Sequence, residues 1–373
     1  MKFSCLQENL SQGLNTVSHL AGINKSGLPI LNNILISTEK GGLKLSSTNL
    51  EIAIETIIRA KIEEEGTFTV PSQIFNNYIN LLPPGEVLNL EIKDNELIIE
   101  AKNQIAKIKG SSSEEFPIIP QIEKKEKIII ESKVLKDALE KIIFTISPNE
   151  TRMEISGVLF TLNYPKNKNL TIVGTDSYRL AEKSISLKEL SAKEIKNIII
   201  PAKTLQELLK IIKNEDDVEI YLLENQILFI YQNTELISRL ISGIYPDYKQ
   251  IIPQNFKTKT ILNKEDFLKT VKAASFFTKS GINDIFLKLI AKKNQVQISS
   301  LNNQIGENKA VLEGEISGED NEIVFNYRYL LDGLINLGGE EVNIEVTNDN
   351  TAAVIRSVSD ESYLYLIMPI KNK

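Results

Sequence analysis

The stretch FTVPSQIFNNYINLLP, residues 68–83, shows the pattern that decides the fold of the whole chain. A strand-like run ends at a proline, and apolar residues at helical spacing follow at once. The same pattern returns as IIIPAKTLQELLKIIK at 198–213 and, with a similar breaker, as IVFNYRYLLDGLINLG at 323–338. Pro71 and Pro201 are expected in the first turn of their helices, where a missing N–H leaves no hydrogen bond unmade. One structural unit is therefore predicted three times.

Two further markers recur with this pattern. An amphipathic helix is predicted to open each unit, at QENLSQGLNTVSHLA (7–21), SKVLKDALEKIIFTIS (132–147) and NKEDFLKTVKAASFF (263–277). Prolines recur too: those at 71 and 201, at 117 and 246, and at 246 and 369 lie 130, 129 and 123 residues apart. This spacing predicts three similar tandem domains, with bounds of 1–122, 128–253 and 254–373.

Runs of alternating apolar and polar residues lie between the helices. They include LKLSSTNLEIAIETIIRA (43–60), LNLEIKDNELIIEA (88–101) and VEIYLLENQILFIY (218–231). Turn residues at 94–95 and 224–225 divide the last two into hairpins. Each domain thus has many strands and only two helices, which indicates an α+β fold class with antiparallel sheets and the helices on one face.

Composition excludes several functional classes. Cys5 is the only cysteine and His19 the only histidine, so a disulfide framework, a cysteine zinc site and a multi-histidine metal centre are excluded. Neither a GxxxxGKS/T nor a GxGxxG phosphate-binding loop occurs. No apolar run approaches the ~18 residues that a membrane span needs, and MKFSCLQENL lacks the apolar core of a signal peptide. A cytoplasmic protein is expected.

The net charge of the chain argues against polyanion binding over its whole surface. The 43 basic and 49 acidic residues give a formal net charge of −6, which still permits a local basic patch. The acidic clusters at 63–65, 216–217 and 340–341 lie beside strand-like runs in predicted turns. None has a partner at metal-ligand spacing, so solvated turn residues are expected there.

Seven short motifs occur in the order and spacing of a known family. They are MKF (1–3), LPILNNILI (28–36), VP (70–71), FP (116–117), GTDSYRLA (174–181), YPDYKQIIP (245–253) and LIMPIK (366–371). Over its whole length the chain resembles the bacterial DNA polymerase III beta subunits, the DNA sliding clamps. The resemblance implies three tandem domains of the DNA clamp fold. It also implies a homodimeric, head-to-tail, pseudo-sixfold ring with helices around the hole and sheets outside.

The function implied by the resemblance is processivity without catalysis. Such a ring encircles duplex DNA without reading sequence, since a protein that slides cannot hold one register of phosphate contacts. The implied partners are the DNA polymerase III alpha subunit, the clamp loader and other proteins with a clamp-binding motif, with no cofactor, metal or membrane. Two alternatives from other classes remain: a carboxylate–metal nuclease or transferase, and a repeat scaffold that binds only proteins.

The resemblance carries a set of DNA contacts onto this chain. The residues are Lys25, Gln73, Asn149, Arg152, Lys203, Asn326 and Tyr329. Gln73 stands where the family often has a basic residue, and Met153 and Glu154 replace an aromatic pair seen in some members. Lysines on these helices could instead form the i,i+4 pairs of any exposed helix.

A peptide-binding groove is implied at a second place. Its residues are Ile155, Thr175, Ser177, Tyr178, Arg179, Leu180, Pro246, Ile251, Met368, Pro369, Ile370 and Lys371. A cleft lined by Met, Pro and Ile would accept Leu and Phe side chains of a short extended peptide. Ser177 and Tyr178 stand where many members have Gly and His. Taken without the resemblance, GTDSYRLA predicts a turn and a strand, with Arg179 paired to an acid.

Ring closure is implied between the first and third domains. The apolar candidates are Ile105 and Ile108 on one side and Phe276 and Phe277 on the other. The two phenylalanines could equally belong to the core at the end of their helix.

Overall fold

The structure is a computed structural model that describes residues 1–22, 27–39, 41–147, 151–162, 169–191, 197–213 and 215–371. The chain forms two compact units. The first comprises residues 1–136, 187–193 and 203–240, and the second comprises 137–186, 194–202 and 241–373. None of the helices within these described ranges is long and apolar enough to cross a membrane.

The described residues contain six α-helices, at the places where the apolar spacing predicts them. They are α1 (Gln7–Ser18), α2 (Ser72–Leu81), α3 (Ser132–Ile143), α4 (Ala202–Ile211), α5 (Lys264–Ser275) and α6 (Tyr327–Asn336). Each buries one apolar stripe; α1, for example, buries Leu10, Leu14 and Val17. The expected position of the prolines was wrong by one residue. Pro71 and Pro201 are the last residues of strands, and the helices begin at the next residue.

The first unit contains two antiparallel sheets. The smaller has the order β5-β1-β7-β8-β9, formed by β1 (Lys2–Leu6), β5 (Lys61–Glu64), β7 (Val87–Lys93), β8 (Glu96–Ala101) and β9 (Gln104–Lys109). The larger has nine strands in the order β14-β10-β16-β17-β18-β4-β3-β2-β6. These are β2 (Asn33–Glu39), β3 (Gly42–Thr48), β4 (Ile52–Ile58), β6 (Thr67–Pro71), β10 (Lys127–Glu131), β14 (Glu189–Leu190), β16 (Asp217–Leu222), β17 (Gln226–Tyr231) and β18 (Thr234–Arg239).

The second unit repeats this arrangement. Its nine-stranded sheet has the order β15-β11-β12-β13-β27-β26-β25-β19-β23, formed by β11 (Gly157–Leu162), β12 (Asn169–Thr175), β13 (Arg179–Ser186), β15 (Asn197–Pro201), β19 (Thr258–Asn263), β23 (Glu315–Gly318), β25 (Glu341–Val346), β26 (Ala353–Ser357) and β27 (Asp360–Ile367). Its smaller sheet, of order β22-β21-β20-β24, consists of β20 (Asp284–Ile290), β21 (Gln295–Asn302), β22 (Gly306–Glu313) and β24 (Asn321–Asn326).

Both nine-stranded sheets are joined in the same way. Each contains two meanders of three strands, and the third strand of one meander pairs antiparallel with the third strand of the other. In the first unit β4 pairs with β18, and in the second β13 pairs with β27. Apolar residues of the following linker cover the joined strands: Ile119 and Ile122 in the first unit, Ile252 and Phe256 in the second. We refer to these two joints as the first and second seams.

A partly buried ion pair links the two strands of the second seam. Lys183 of β13 donates hydrogen bonds from Nζ to Asp360 Oδ2 at 2.7 Å and to Ser362 Oγ at 2.8 Å, both on β27. The Lys183 side chain is 9% exposed and that of Asp360 is 25% exposed. Burial alone would raise the pKa of Asp360, but the hydrogen bonds from Lys183 and Ser362 outweigh it and lower that pKa.

Replacing Asp360 should weaken this seam. We expect Asp360→Asn to lower the free energy of unfolding by about 1–2 kcal/mol at pH 7, less than a fully buried pair would lose, because solvent still screens the carboxylate. The native carboxylate has the lower pKa in the folded state, so its contribution is complete above its unfolded pKa of ~3.9 and disappears as pH falls further. Urea unfolding followed by circular dichroism at pH 7 and near pH 3 measures both effects.

The exposed neighbour Glu361 supplies the control, since Glu361→Gln should leave the unfolding midpoint unchanged. A difference between wild type and Asp360→Asn that stays constant down to pH 3 would contradict the assignment.

Candidate functional site

A tight turn joins β12 to β13 and begins the second seam. Thr175 Oγ1 accepts from Ser177 N at 3.1 Å and donates to Arg179 O at 2.7 Å. Asp176 Oδ1 accepts from the backbone N–H groups of Tyr178 and Arg179, both at 3.0 Å. Ser177 has φ +77°, a left-handed conformation that glycine adopts without strain. The resemblance implies glycine at this position, and the left-handed backbone favours that residue.

Arg179 is fully engaged by its own chain. Its guanidinium donates to Asp176 Oδ2 at 3.0 Å, to Asp332 Oδ2 at 2.5 Å and to the Phe144 carbonyl oxygen at 2.9 Å. It also lies over the Tyr329 ring, 4.7 Å from the centroid. Burial lowers the pKa of Arg179, but Asp332 and the other nearby acidic groups outweigh it and raise that pKa. The pairing with an acid that the turn predicts is therefore present, and Arg179 positions its neighbours.

Tyr178 and the end of the chain are held beside this turn. Tyr178 is 61% exposed and stacks on Tyr329, with ring centroids 6.2 Å apart and 22° between the planes. Met368 N donates to the Tyr178 carbonyl oxygen at 2.8 Å, and the Met368 side chain packs on a buried cluster that includes Leu180 and Leu366. Tyr329 has its contacts here, among the predicted groove residues, although the resemblance implied that it contacts DNA.

The predicted groove residues separate into a buried and an accessible set. Ile155, Thr175 and Leu180 are buried at 4%, 7% and 0% exposure, so they can shape a floor but offer little surface. The other members are exposed or half-buried: Ser177, Tyr178, Arg179, Pro246, Ile251, Met368, Pro369, Ile370 and Lys371. The accessible set provides the groups that a bound peptide could contact.

The predicted DNA contacts lie in varied surroundings. Lys25 and Asn149 lie outside the described residues. Gln73 and Lys203 are exposed near the beginnings of α2 and α4. Arg152 is exposed and donates to Glu154 Oε1 at 3.3 Å and to Ser177 Oγ at 3.0 Å.

Asn326, the remaining predicted contact, has a role within the fold. Its side chain accepts from Arg328 N at 3.0 Å and caps α6. Its amide oxygen is therefore already used by the helix.

The four predicted interface residues differ in exposure. Ile105 on β9 is 67% exposed, whereas Ile108 on the same strand is 7% exposed and belongs to the core of its sheet. Phe276, just after α5, is 76% exposed, and Phe277 is half-buried. Phe276 is therefore not a core residue of the chain, and its place in an interface stays a prediction.

Sequence reasoning missed the groups that hold the groove residues in place. Asp332 anchors Arg179 from α6, and Phe144 supplies both a carbonyl acceptor and a ring 5.5 Å from the guanidinium. Their separation from Arg179 along the chain hides these contacts. The one sequence feature that pointed to this arrangement is the spacing of Tyr329 and Asp332. They are three residues apart and so lie on one face of their helix, where both can contact the same side chain. Within the described ranges, no three His, Cys, Asp or Glu side chains converge as metal ligands would.

Three parts of the chain, which together cover most of its length, match domains of one protein family. Residues 1–120, 129–247 and 249–371 match the N-terminal, central and C-terminal domains of the DNA polymerase III beta subunit. The chain belongs to this family. It is a DNA sliding clamp, a processivity factor with no catalysis of its own, and the nuclease alternative is set aside.

Similar proteins cover the chain from end to end. The beta sliding clamp of Bacillus subtilis (strain 168) is 31% identical over 383 residues and covers 100% of both chains. That of Staphylococcus aureus (strain N315) is 30% identical over 357 residues and covers 93% of each. The crystal structure of the Bacillus subtilis DNA polymerase sliding clamp matches with a TM-score of 0.94 at 29% identity over 100% of both chains. The Streptococcus pneumoniae beta chain gives 0.92 at 28%, again with 100% coverage of both.

Proposed function

We propose that two copies of this chain close a head-to-tail ring around duplex DNA by pairing β9 of one copy with β22 of the other. The ring tethers the replicative polymerase, the clamp loader and other partners in the cytoplasm. Its domains are proposed to span 1–122, 128–253 and 254–373. The observation that carries the proposal is the number and order of strands in the four sheets.

The two smaller sheets are the separate halves of a third large sheet. One has five strands and ends at β9, and the other has four strands and ends at β22. Both edge strands are the third strands of their meanders, like the strands that meet at the two seams. Pairing them would give nine strands in the order β5-β1-β7-β8-β9-β22-β21-β20-β24, the arrangement of the other two. Each copy has β9 in its first third and β22 in its last third. Pairing β9 of one copy with β22 of the other therefore leaves one edge of each copy free, and pairing those two edges closes the ring.

The side chains beside the two edges are complementary. Lys107 and Lys109 are exposed on β9, while β22 exposes Glu307 and Glu313 with Lys309 between them, so acidic groups are in the majority there. Exposed apolar groups lie beside them: Ile105 at 67% on β9, and Phe276 at 76%, Ile305 at 65% and Val311 at 51% around β22. Strand pairing would bury these groups against each other and bring opposite charges together.

Inside the ring, we propose weak contacts to the DNA backbone from Lys25, Gln73, Asn149, Arg152 and Lys203. Phosphate contacts without base contacts hold the duplex in no particular register, so the ring can slide. The net charge of the chain, −6, disfavours binding of DNA to the outer surface of the ring. Retention then comes from encirclement, and affinity is not required.

The partner site is proposed at the second seam. Tyr178, Ile251, Pro246 and Met368 would contact a short extended peptide with Leu and Phe side chains, with Leu180 as the buried floor. We add Tyr329 to this set, because it stacks on Tyr178 and lies under Arg179. Contacts of this size typically give affinities near ~1 μM, which allows partners to exchange.

A charge at the proposed interface should separate the two copies. We expect wild type to have a mass of about 84 kDa in solution, twice the 41.9 kDa of the chain, and Phe276→Asp to shift it to the monomer mass. The physical reason is that pairing would bury the carboxylate among apolar side chains such as Ile105 and remove the aromatic ring that packs there. Size-exclusion chromatography with light scattering measures the mass, with circular dichroism as a check on folding.

Ile118 is 96% exposed on a linker and provides a matched control, since Ile118→Asp should leave the dimer intact. If Phe276→Asp and Ile105→Asp both remain dimers, ring closure lies elsewhere.

A charge in the groove should prevent partner binding without affecting the dimer. Ile251 is 44% exposed, and we expect Ile251→Asp to weaken binding of a labelled Leu- and Phe-containing peptide by at least about tenfold, since it places a carboxylate against apolar side chains. Fluorescence polarisation gives the affinity. Val358→Asp, at a similar 47% exposure on the β26–β27 turn, should bind the peptide as wild type does. Equal affinities for all three proteins would show that the groove is misplaced.

A further inference from the structure

One face of the second unit's large sheet changes from apolar to polar within two rows of side chains. One row reads Ile199, Leu159, Val173, Glu182 and Leu364 across five adjacent strands. It contains a single charged residue. The next row reads Asn197, Thr161, Thr171 and Ser184, all of them polar. Glu182 therefore stands at the boundary of an apolar floor and a row of hydroxyl and amide groups.

A pocket of about 610 Å³ lies over this boundary. Its floor includes Leu159 and Ile199, its polar end includes Asn197 and Thr161, and the loop at 243–249 forms the wall. Leu159 and Ile199 also belong to the buried cluster on which Met368 packs, so the pocket and the proposed groove share one apolar base. Pro246 lies in the wall of the pocket and in the predicted groove. The two sites are thus neighbours on the same surface.

Glu182 is held in place with part of its carboxylate still available. Tyr248 donates its hydroxyl to Glu182 Oε2 at 2.5 Å, and burial, followed by this hydrogen bond, raises the pKa of Tyr248. The phenol therefore stays protonated as a donor. The buried hydroxyl of Tyr245, in the same wall, has no hydrogen-bond partner within the described chain. A carboxylate beside apolar surface with one fixed oxygen suits a ligand that brings its own hydrogen-bond donor.

The charge of the pocket selects the ligand. Glu182 and Asp247 contribute two negative charges and Lys249, at the exposed rim, contributes one positive charge. We propose that this pocket binds the side chain of a lysine or arginine that flanks the apolar residues of a partner peptide. The aliphatic stem would lie on Leu159 and Ile199 while the cationic head reaches Glu182, as long basic side chains commonly do. This inference rests on the proposed groove and extends its specificity to a flanking basic residue.

The test compares three peptides that share the Leu and Phe residues and differ at one flanking residue. That residue is lysine, norleucine or glutamate, placed in turn one to four positions beyond either apolar end. Norleucine keeps the stem of lysine and lacks its charge. At one position the lysine peptide should bind wild type at least about fivefold tighter than the norleucine peptide, and the glutamate peptide should bind more weakly than both.

Glu182→Gln is the informative variant, because its amide oxygen can still accept from Tyr248 while the negative charge is removed. We expect it to bind the norleucine peptide as wild type does and to lose the preference for lysine. A preference that survives in Glu182→Gln, or equal binding of lysine and norleucine peptides at every position, would overturn the pocket assignment alone. A norleucine peptide that binds wild type and Ile251→Asp equally would overturn the groove, and with it the flanking site.

Discussion

Each large sheet is held together by the pairing of one meander's third strand with the third strand of another meander. It occurs twice within the chain, as β4 with β18 and as β13 with β27, and each time it produces nine strands and a linker-covered apolar cluster. The backbone N–H and C=O groups of an edge strand need partners, so the same rule applies to β9 and β22. A chain with two unused edges of this kind can satisfy both by closing on a second copy.

The partner site that we propose depends on the same geometry at the second seam. The turn before β13 brings Tyr178 and Arg179 to the joint, and the tail after β27 brings Met368 to the same place. In the equivalent turn before β4, the side-chain oxygens of Thr48 and Asn49 accept the corresponding backbone hydrogen bonds. Leu50, at φ +74°, has the left-handed conformation that Ser177 has in the other turn. The flanking residues of the turn before β4, Glu51 and Arg239, are charged, whereas Tyr178 and Met368 are uncharged, which favours the second seam as the site for an apolar peptide.

Much of this could be predicted from periodic patterns in the sequence. Apolar spacing located the six helices of the described residues, and the recurring prolines revealed the repeat, because both are local properties. The helix starts at Pro71 and Pro201 were predicted one residue too early, because a strand can end at proline as readily as a helix can begin there. Contacts between distant residues left no such signal. Arg179, for example, meets Asp332 across 153 positions.

Encirclement is tested most directly by comparing retention on closed and open DNA. The protein would be loaded by a bacterial clamp loader onto a nicked circular plasmid, and then passed through a sizing column at high salt before and after a single cut. We expect the clamp to stay with the circle, because high salt screens phosphate contacts but cannot open a topological link, and to leave the linear DNA from its ends. Equal loss from both forms, or equal retention on both, would show that the protein does not encircle DNA.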